Sequence, residues 1–305
     1  MTGRPAPQLD ALEARVQSRV TELAALVDAE LGEVIDAACQ STPMREAARY
    51  AVLGGGKRLR PVLAIMCARA CGGDEKLALP AAAAVELVHA FSLIHDDLPC
   101  MDDDDLRRGR PTLHVYAGEA AALLAGDSML NAAYWTLVRR VGDGALSASL
   151  IGELADASAR MIDGQTLDSL GGFDAEVAGD ERRLRLIHRW KTGALIRAAC
   201  RMGAISARAS NAEMDVITGY AEAVGLMFQV VDDLIDVEQS TEQAGKRTGK
   251  DAQAGKLTFP GVLGVEASRE EVARLLDASL SAIEPIGEAA GDLADLARVL
   301  AGRTR

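Results

Sequence analysis

Apolar side chains recur every three or four positions along most of this chain. Leu9, Leu12, Val16, Val20, Leu23 and Val27 set that period near the N-terminus, predicting an amphipathic helix after a loose tail over residues 1–8. The same spacing predicts helices near 43–53, 61–71, 80–98, 118–141, 145–168, 181–207, 211–237 and 270–302. Pro61 and Pro80 suit first-turn positions, and glycines at 54–56, 72–73 and 171–172 mark breaks. No segment alternates with period two, so no strand is predicted.

Composition agrees with a helical reading. Apolar residues make up 49% of the 305, aromatics only 3%, and β-branched runs are rare. A chain of this length buries roughly three quarters of its unfolded surface, enough to enclose a cavity. The expected fold is therefore all-α, a single-domain bundle of about ten helices around a deep central cavity. A net charge of −12 disfavours general nucleic-acid binding, which draws its affinity from Lys and Arg on phosphates. The five cysteines form no CxxC pair and read as thiols of a reducing cytoplasm. A charged-then-apolar leader pattern and an uninterrupted apolar run of about 18 residues are both missing, so a cytoplasmic protein without an integral membrane segment is expected.

Two acidic clusters change the picture. Asp96-Asp97-Leu-Pro-Cys-Met-Asp102-Asp103-Asp104-Asp105 and Asp232-Asp233-Leu-Ile-Asp236 each end a strongly apolar segment. Carboxylates there are costly unless a cation holds them, which predicts a pair of facing metal sites. On a helix, Gln229, Asp232, Asp233 and Asp236 share one stripe, with apolar residues around the rest. His89, Ser92 and Asp96 share another. Asp102 lies about 120° from Asp96 on a straight helix, and a distortion at Pro99 would bring it back; without one, Asp103 is better aligned. Neither cluster holds His or Cys at a ligand spacing. All-oxygen ligation selects hard cations such as Mg²⁺ or Mn²⁺, and Mg²⁺ commonly completes its shell with water and substrate phosphates.

A phosphorylated substrate needs basic groups, and they gather in Gly54-Gly55-Gly56-Lys57-Arg58-Leu59-Arg60-Pro61, in Arg107-Arg108-Gly109-Arg110-Pro111, and at Lys191-Thr192 within an apolar helix. The glycine-rich turn is a phosphate cradle by chemistry but lacks P-loop spacing. Lys191, with apolar residues on the following turns, requires an anion. The polar connection from Glu238 to Lys256, with Lys246, Arg247, Lys250 and Lys256, reads as a flap that closes over an anionic ligand.

The segments GGGKRLRP, VELVHAFSLIHDDLPCMDDDDLRRGRPT, HRWKTGALIRAACRMGAI, GLMFQVVDDLIDV and GKRTGKDAQAGKLTFP together resemble the trans-isoprenyl diphosphate synthases, over nearly the whole chain. The likeness is closest to bacterial farnesyl diphosphate synthases. It implies the isoprenoid synthase fold, a homodimer, and three Mg²⁺ ions, with Mn²⁺ able to substitute. Asp96 and Asp102 would hold two ions and Asp232 the third, with Asp233 and Asp236 acting mostly through bound water. Arg107, Lys191 and Lys256 match residues that grip the allylic diphosphate; Lys57, Arg60, His89 and Arg108 match those that grip isopentenyl diphosphate. Thr192, the Lys191 carbonyl and Gln229 resemble groups that stabilise an allylic cation.

The implied reaction is a head-to-tail condensation of isopentenyl diphosphate with dimethylallyl and then geranyl diphosphate. The allylic diphosphate ionises, the isopentenyl double bond attacks the cation, and the released diphosphate takes the proton, since no side-chain base stands out. Positions five and four before the first Asp, Phe91 and Ser92, help set chain length in the resembling family, and a bulky Phe91 implies the fifteen-carbon farnesyl product. Alternatives are a geranylgeranyl or geranyl diphosphate synthase and, remotely, a noncatalytic synthase subunit. A terpene cyclase would leave the second basic set idle.

Overall fold

The structure, a computed structural model, describes residues 6–242 and 257–303. The all-α fold class read from the sequence is the one found. Helices run α1 Ala6–Ala38, α2 Thr42–Val52, α3 Leu59–Ala70, α4 Glu75–Asp96, α5 Leu113–Ala117, α6 Glu119–Arg140 and α7 Gly144–Leu170. There follow α8 Asp180–Ile187, a π-helical segment His188–Gly193, α9 Ala194–Ser206, α10 Asn211–Glu242, α11 Phe259–Leu263, α12 Val265–Ile283, a 3₁₀ segment Glu284–Ala290 and α13 Gly291–Gly302. The chain divides into two compact units. One comprises the described residues of Met1–Val16, Ala155–Arg201 and Ala209–Arg305; the other comprises Gln17–Leu154 and Met202–Arg208.

The N-terminal period is a true core stripe, with Leu12, Val16, Leu23 and Val27 buried. Helix α1 already begins at Ala6, inside the stretch read as a tail. Helix α4 starts earlier than its proline suggested, because Asp74 accepts a hydrogen bond from the Lys76 N–H at 2.8 Å and caps the end. Pro80 is therefore interior, where its missing N–H leaves one carbonyl of the first turns without its usual donor.

In the Gln17–Leu154 unit, α4 packs on α3 and α6 through a run of small residues, Ala81 to Ala84, all fully buried. Gly203, also of this unit, lies so close to α3 that a Cβ there would overlap the Ala64 carbonyl. In the other unit α10 packs on α12, and Tyr220 donates from its buried hydroxyl to the Leu293 carbonyl at 2.9 Å. Helices α4 and α10 are long and apolar enough to cross a bilayer, yet 61% and 50% of their most apolar stretches are buried inside the protein, as core helices are.

Three departures from the sequence reading matter for the site. The predicted 181–207 helix is interrupted by the π segment, and the predicted 270–302 helix begins at Val265 and breaks at Glu284–Ala290, where Gly287 has φ 72°. A two-stranded hairpin, Leu106–Arg107 with Arg110–Pro111, stands where no strand was predicted. Its two-residue turn, Arg108-Gly109, has φ of 54° and 75°, the positive pair that a type I′ turn requires.

Candidate active site

The hairpin aims the basic residues of the first site. Arg107 donates from Nε and Nη2 to both carboxylate oxygens of Asp97 at 2.6 to 2.9 Å, and Asp97 is buried. Arg108 reaches the Gly55 carbonyl, lying over Gly56, while Arg110 stacks on Tyr50 with its guanidinium 4.3 Å from the ring centroid. The glycine turn serves these approaches, since a Cβ at Gly54 would fall 2.7 Å from the Tyr50 carbonyl oxygen. His89, Asp97, Arg107, Arg108, Arg110 and Glu86 line one open pocket.

Arg58, in the same basic motif, does different work. It is buried and donates to Asp28 at 2.7 Å, Glu86 at 2.8 Å and the Val52 carbonyl at 2.6 Å. Those bonds hold it at φ 48°, a left-handed conformation costing a non-glycine residue roughly 1–3 kcal/mol. Lys57 before it is exposed and Arg60 after it half-buried; neither lines the pocket. Arg60 is nonetheless felt there. Burial first, then the charges of Arg60, Arg108, Arg107 and Arg58, hold the His89 imidazole well below its ordinary pKa, so it is neutral near pH 7.

Helix α4 ends at Asp96, and the chain turns back so that the Asp102 N–H donates to the Asp96 carbonyl at 2.8 Å. The break at Leu98-Pro99, with Asp103 at φ 51°, thus does bring Asp102 beside Asp96. One turn earlier, Phe91 is buried and meets His95 edge-on at 5.1 Å, and the Ser92 hydroxyl is spent on the His89 carbonyl at 3.0 Å. His95 in turn contacts the Leu123 carbonyl at 3.0 Å across Gly126, whose missing Cβ makes room for it.

The second cluster, in the other unit, divides its carboxylates. Asp233 is buried, accepting from the Phe259 N–H at 2.9 Å and Gln229 Nε2 at 3.2 Å, with His188 Nε2 3.4 Å away. The shared acidic stripe read from the sequence is therefore split. Helical spacing cannot tell a carboxylate that caps a neighbouring turn from one left at the surface. Asp232 is half-buried, with Arg303 Nη1 3.4 Å from its Oδ1, and Asp236 is exposed.

Lys191 and Thr192 sit half-buried in the π segment. Lys191 donates to Asp168 at 2.5 Å, which supplies the anion its surroundings demanded. A Cβ on Gly164 would overlap the Lys191 backbone nitrogen, so α7 approaches the bulge only because that residue is glycine. A π segment shifts the hydrogen-bond register and locally frees carbonyls, and such bulges concentrate at functional sites. Lys256 and nearly all of the proposed flap lie outside the described residues.

Sequence reasoning missed Asp97, Asp168 and His188 as partners of site residues. Only the Gly164-Gln165-Thr166-Leu167-Asp168 run offered a signal, a carboxylate one turn from a helical glycine. Among the described residues no three His, Cys, Asp or Glu side chains form a ready metal cage. The loop brings the backbones of Asp96 and Asp102 together, and carboxylate oxygens are donors that suit a hard cation such as Mg²⁺.

A sequence model described as polyprenyl synthetase matches residues 41–290. The large subunit 1 of a heterodimeric geranylgeranyl pyrophosphate synthase from Arabidopsis thaliana is 46% identical over 239 residues, 76% of this chain and 64% of that protein. Geranylgeranyl pyrophosphate synthase 7 from the same plant is 45% identical over 253 residues, 81% of this chain and 73% of its own. The chain thus spans under two thirds of the first relative's length. Among solved structures, an FPP/GFPP synthase from Zymomonas mobilis superposes with a TM-score of 0.80 at 33% identity, covering 94% of this chain and 98% of that one. With the family pattern running through both acidic motifs and a fold shared over almost its whole length, this chain belongs to the polyprenyl synthetase family.

Proposed function

We propose that this protein condenses isopentenyl diphosphate head-to-tail with allylic diphosphates to make a prenyl diphosphate. The observation that carries the reading is the pocket in which Arg107, Arg108 and a neutral His89 converge, with His89 two helix turns before Asp96 on α4. Arg108 and His89, with Lys57 and Arg60 from the neighbouring basic motif, hold isopentenyl diphosphate. Arg107, oriented by Asp97, and Lys191, oriented by Asp168, take the charge of the allylic diphosphate, with Lys256. Asp96 and Asp102, and Asp232 with Asp236, would hold Mg²⁺, which would supply positive charge to the diphosphate oxygens. The C–O bond breaks with its electron pair leaving on diphosphate, and the isopentenyl double bond attacks the allylic carbon. Thr192, Gln229 and the Lys191 carbonyl steady the cation, and the departing diphosphate accepts the proton. Preorganised charge of this kind is commonly the largest contribution to catalysis.

For product length, the names of the plant relatives support a twenty-carbon geranylgeranyl product. Phe91 supports the fifteen-carbon farnesyl alternative, because a buried ring one turn before Asp96 shortens any apolar space there. Incubation with isopentenyl diphosphate and each allylic starter, with Mg²⁺ or Mn²⁺, followed by chromatography decides between them, and no condensation with any starter sinks the proposal. We place the protein in the cytoplasm and expect a homodimer, for which exposed Leu123, Leu124 and Val138 on α6 offer apolar surface. Light scattering of a monomer would refute that assembly.

A further inference from the structure

The chain carries a second basic concavity that the proposed reaction does not use. Within the unit that holds Lys191, residues of α7, α8, the π segment, α9 and α10 line an open pocket. Five arginines line it: Arg160, Arg182, Arg185, Arg189 and Arg197. The only acidic lining residue is Glu222. In a chain with net charge −12 this is a marked local reversal.

Two of the five are already committed. Arg185 donates to Glu181 at 2.9 Å and to Glu271 at 2.7 Å, and Arg197 lies 3.6 Å from Glu222. Arg160, Arg182 and Arg189 are exposed, and among the described residues none of the three has an ion pair. Their planar forks match phosphate oxygens in pairs. Between them the wall is apolar, formed by Leu186, Trp190, Ala194 and Leu226. Cationic forks around an indole and aliphatic groups describe a receptor for an amphiphilic anion, with a phosphate head and a short apolar body.

We propose that this pocket binds an organic diphosphate with an apolar tail, at a site separate from both acidic clusters. Its one lining carboxylate is paired with Arg197, so binding here is independent of divalent metal. Trp190 lines the pocket and directly precedes Lys191, so its indole reports occupancy. The choice of ligand rests on the proposed function; the site itself rests on the arginines.

The test uses the full chain with Trp135→Phe, which leaves Trp190 as the sole indole. Geranyl diphosphate is titrated in EDTA with isopentenyl diphosphate already saturating. Trp190 fluorescence is expected to change along a saturable curve, with inorganic diphosphate binding more weakly and geraniol not at all. Arg160→Gln with Arg182→Gln is expected to weaken binding at least tenfold while circular dichroism and condensation turnover stay unchanged. No fluorescence change, or a curve that the two substitutions leave in place, overturns the proposal. Equal binding of geranyl diphosphate and citrate also overturns it, showing a nonspecific anion surface. Turnover of the same proteins with Mg²⁺ reports on the proposed function separately.

Discussion

The two acidic clusters look alike in sequence and are built differently. Each sends one carboxylate inward. In the first, Asp97 captures a side chain, the Arg107 guanidinium; in the second, Asp233 captures a backbone, the Phe259 N–H, together with the Gln229 amide. Asp97 thereby orients a charged group of the site, whereas Asp233 ties α10 to the turn that opens α11. The lesson is that a buried acid in an acidic motif is read by what it holds. A carboxylate holding a cation sets the electrostatics of the site, and one holding an amide sets the shape of the wall.

The sharpest break of this comparison comes from the carboxylates proposed as metal ligands. Asp96→Ala and Asp232→Ala are each expected to lower turnover by about 10²–10³-fold or more in saturating Mg²⁺ with the fold intact, a loss typical of removing one preorganised electrostatic group. Near-normal steady-state rates in either variant would remove that cluster from the mechanism.

Next in size, the inward acids should separate. Asp97→Asn keeps the shape but releases Arg107, and about a tenfold rise in the allylic KM is expected, of the order of one lost charge-assisted contact. Asp233→Asn still offers an oxygen to Phe259, so it should lower the melting temperature with little change in KM. If both variants respond alike in a paired kinetic and thermal measurement, the distinction fails.

Phe91→Ala tests the wall beneath the first cluster. Its removal opens space beside His95, and a product at least one five-carbon unit longer is expected by chromatography. An unchanged chain length would take Phe91 out of length control.

The smallest effect is electrostatic. His89 is held below its ordinary pKa in the folded protein while the unfolded chain titrates near 6.5, so the unfolded state binds its proton first as the pH falls. Stability is therefore full above about pH 6.5 and is lost as the pH drops toward the lower folded value. His89→Gln should flatten that part of the stability profile, measured by urea unfolding between about pH 7 and 5. A diphosphate in the pocket offsets the surrounding arginines and should raise the His89 pKa, seen as a shift in its ring proton resonances. No shift on adding isopentenyl diphosphate would separate His89 from the substrate.

The helices were legible because their causes are local: the apolar period of α1, α4 and α10, and the glycines and prolines that end helices. So were the two acidic runs that close apolar helices, on which the proposed metal sites rest. The hairpin was not, because two-residue strands leave no periodicity, and its turn depends on Arg108 accepting a positive φ that contacts elsewhere maintain. Nor was the pairing of the site. Asp97 with Arg107 spans 10 residues, Lys191 with Asp168 spans 23, and Asp233 with Phe259 spans 26. By itself the sequence determined an all-helical chain with oxygen-rich and guanidinium-rich ends to its helices. Only the tertiary structure decided which acid binds an arginine, which caps a turn and which stays at the surface, because an ion's partner is set by distance in space and by the solvent that burial removes.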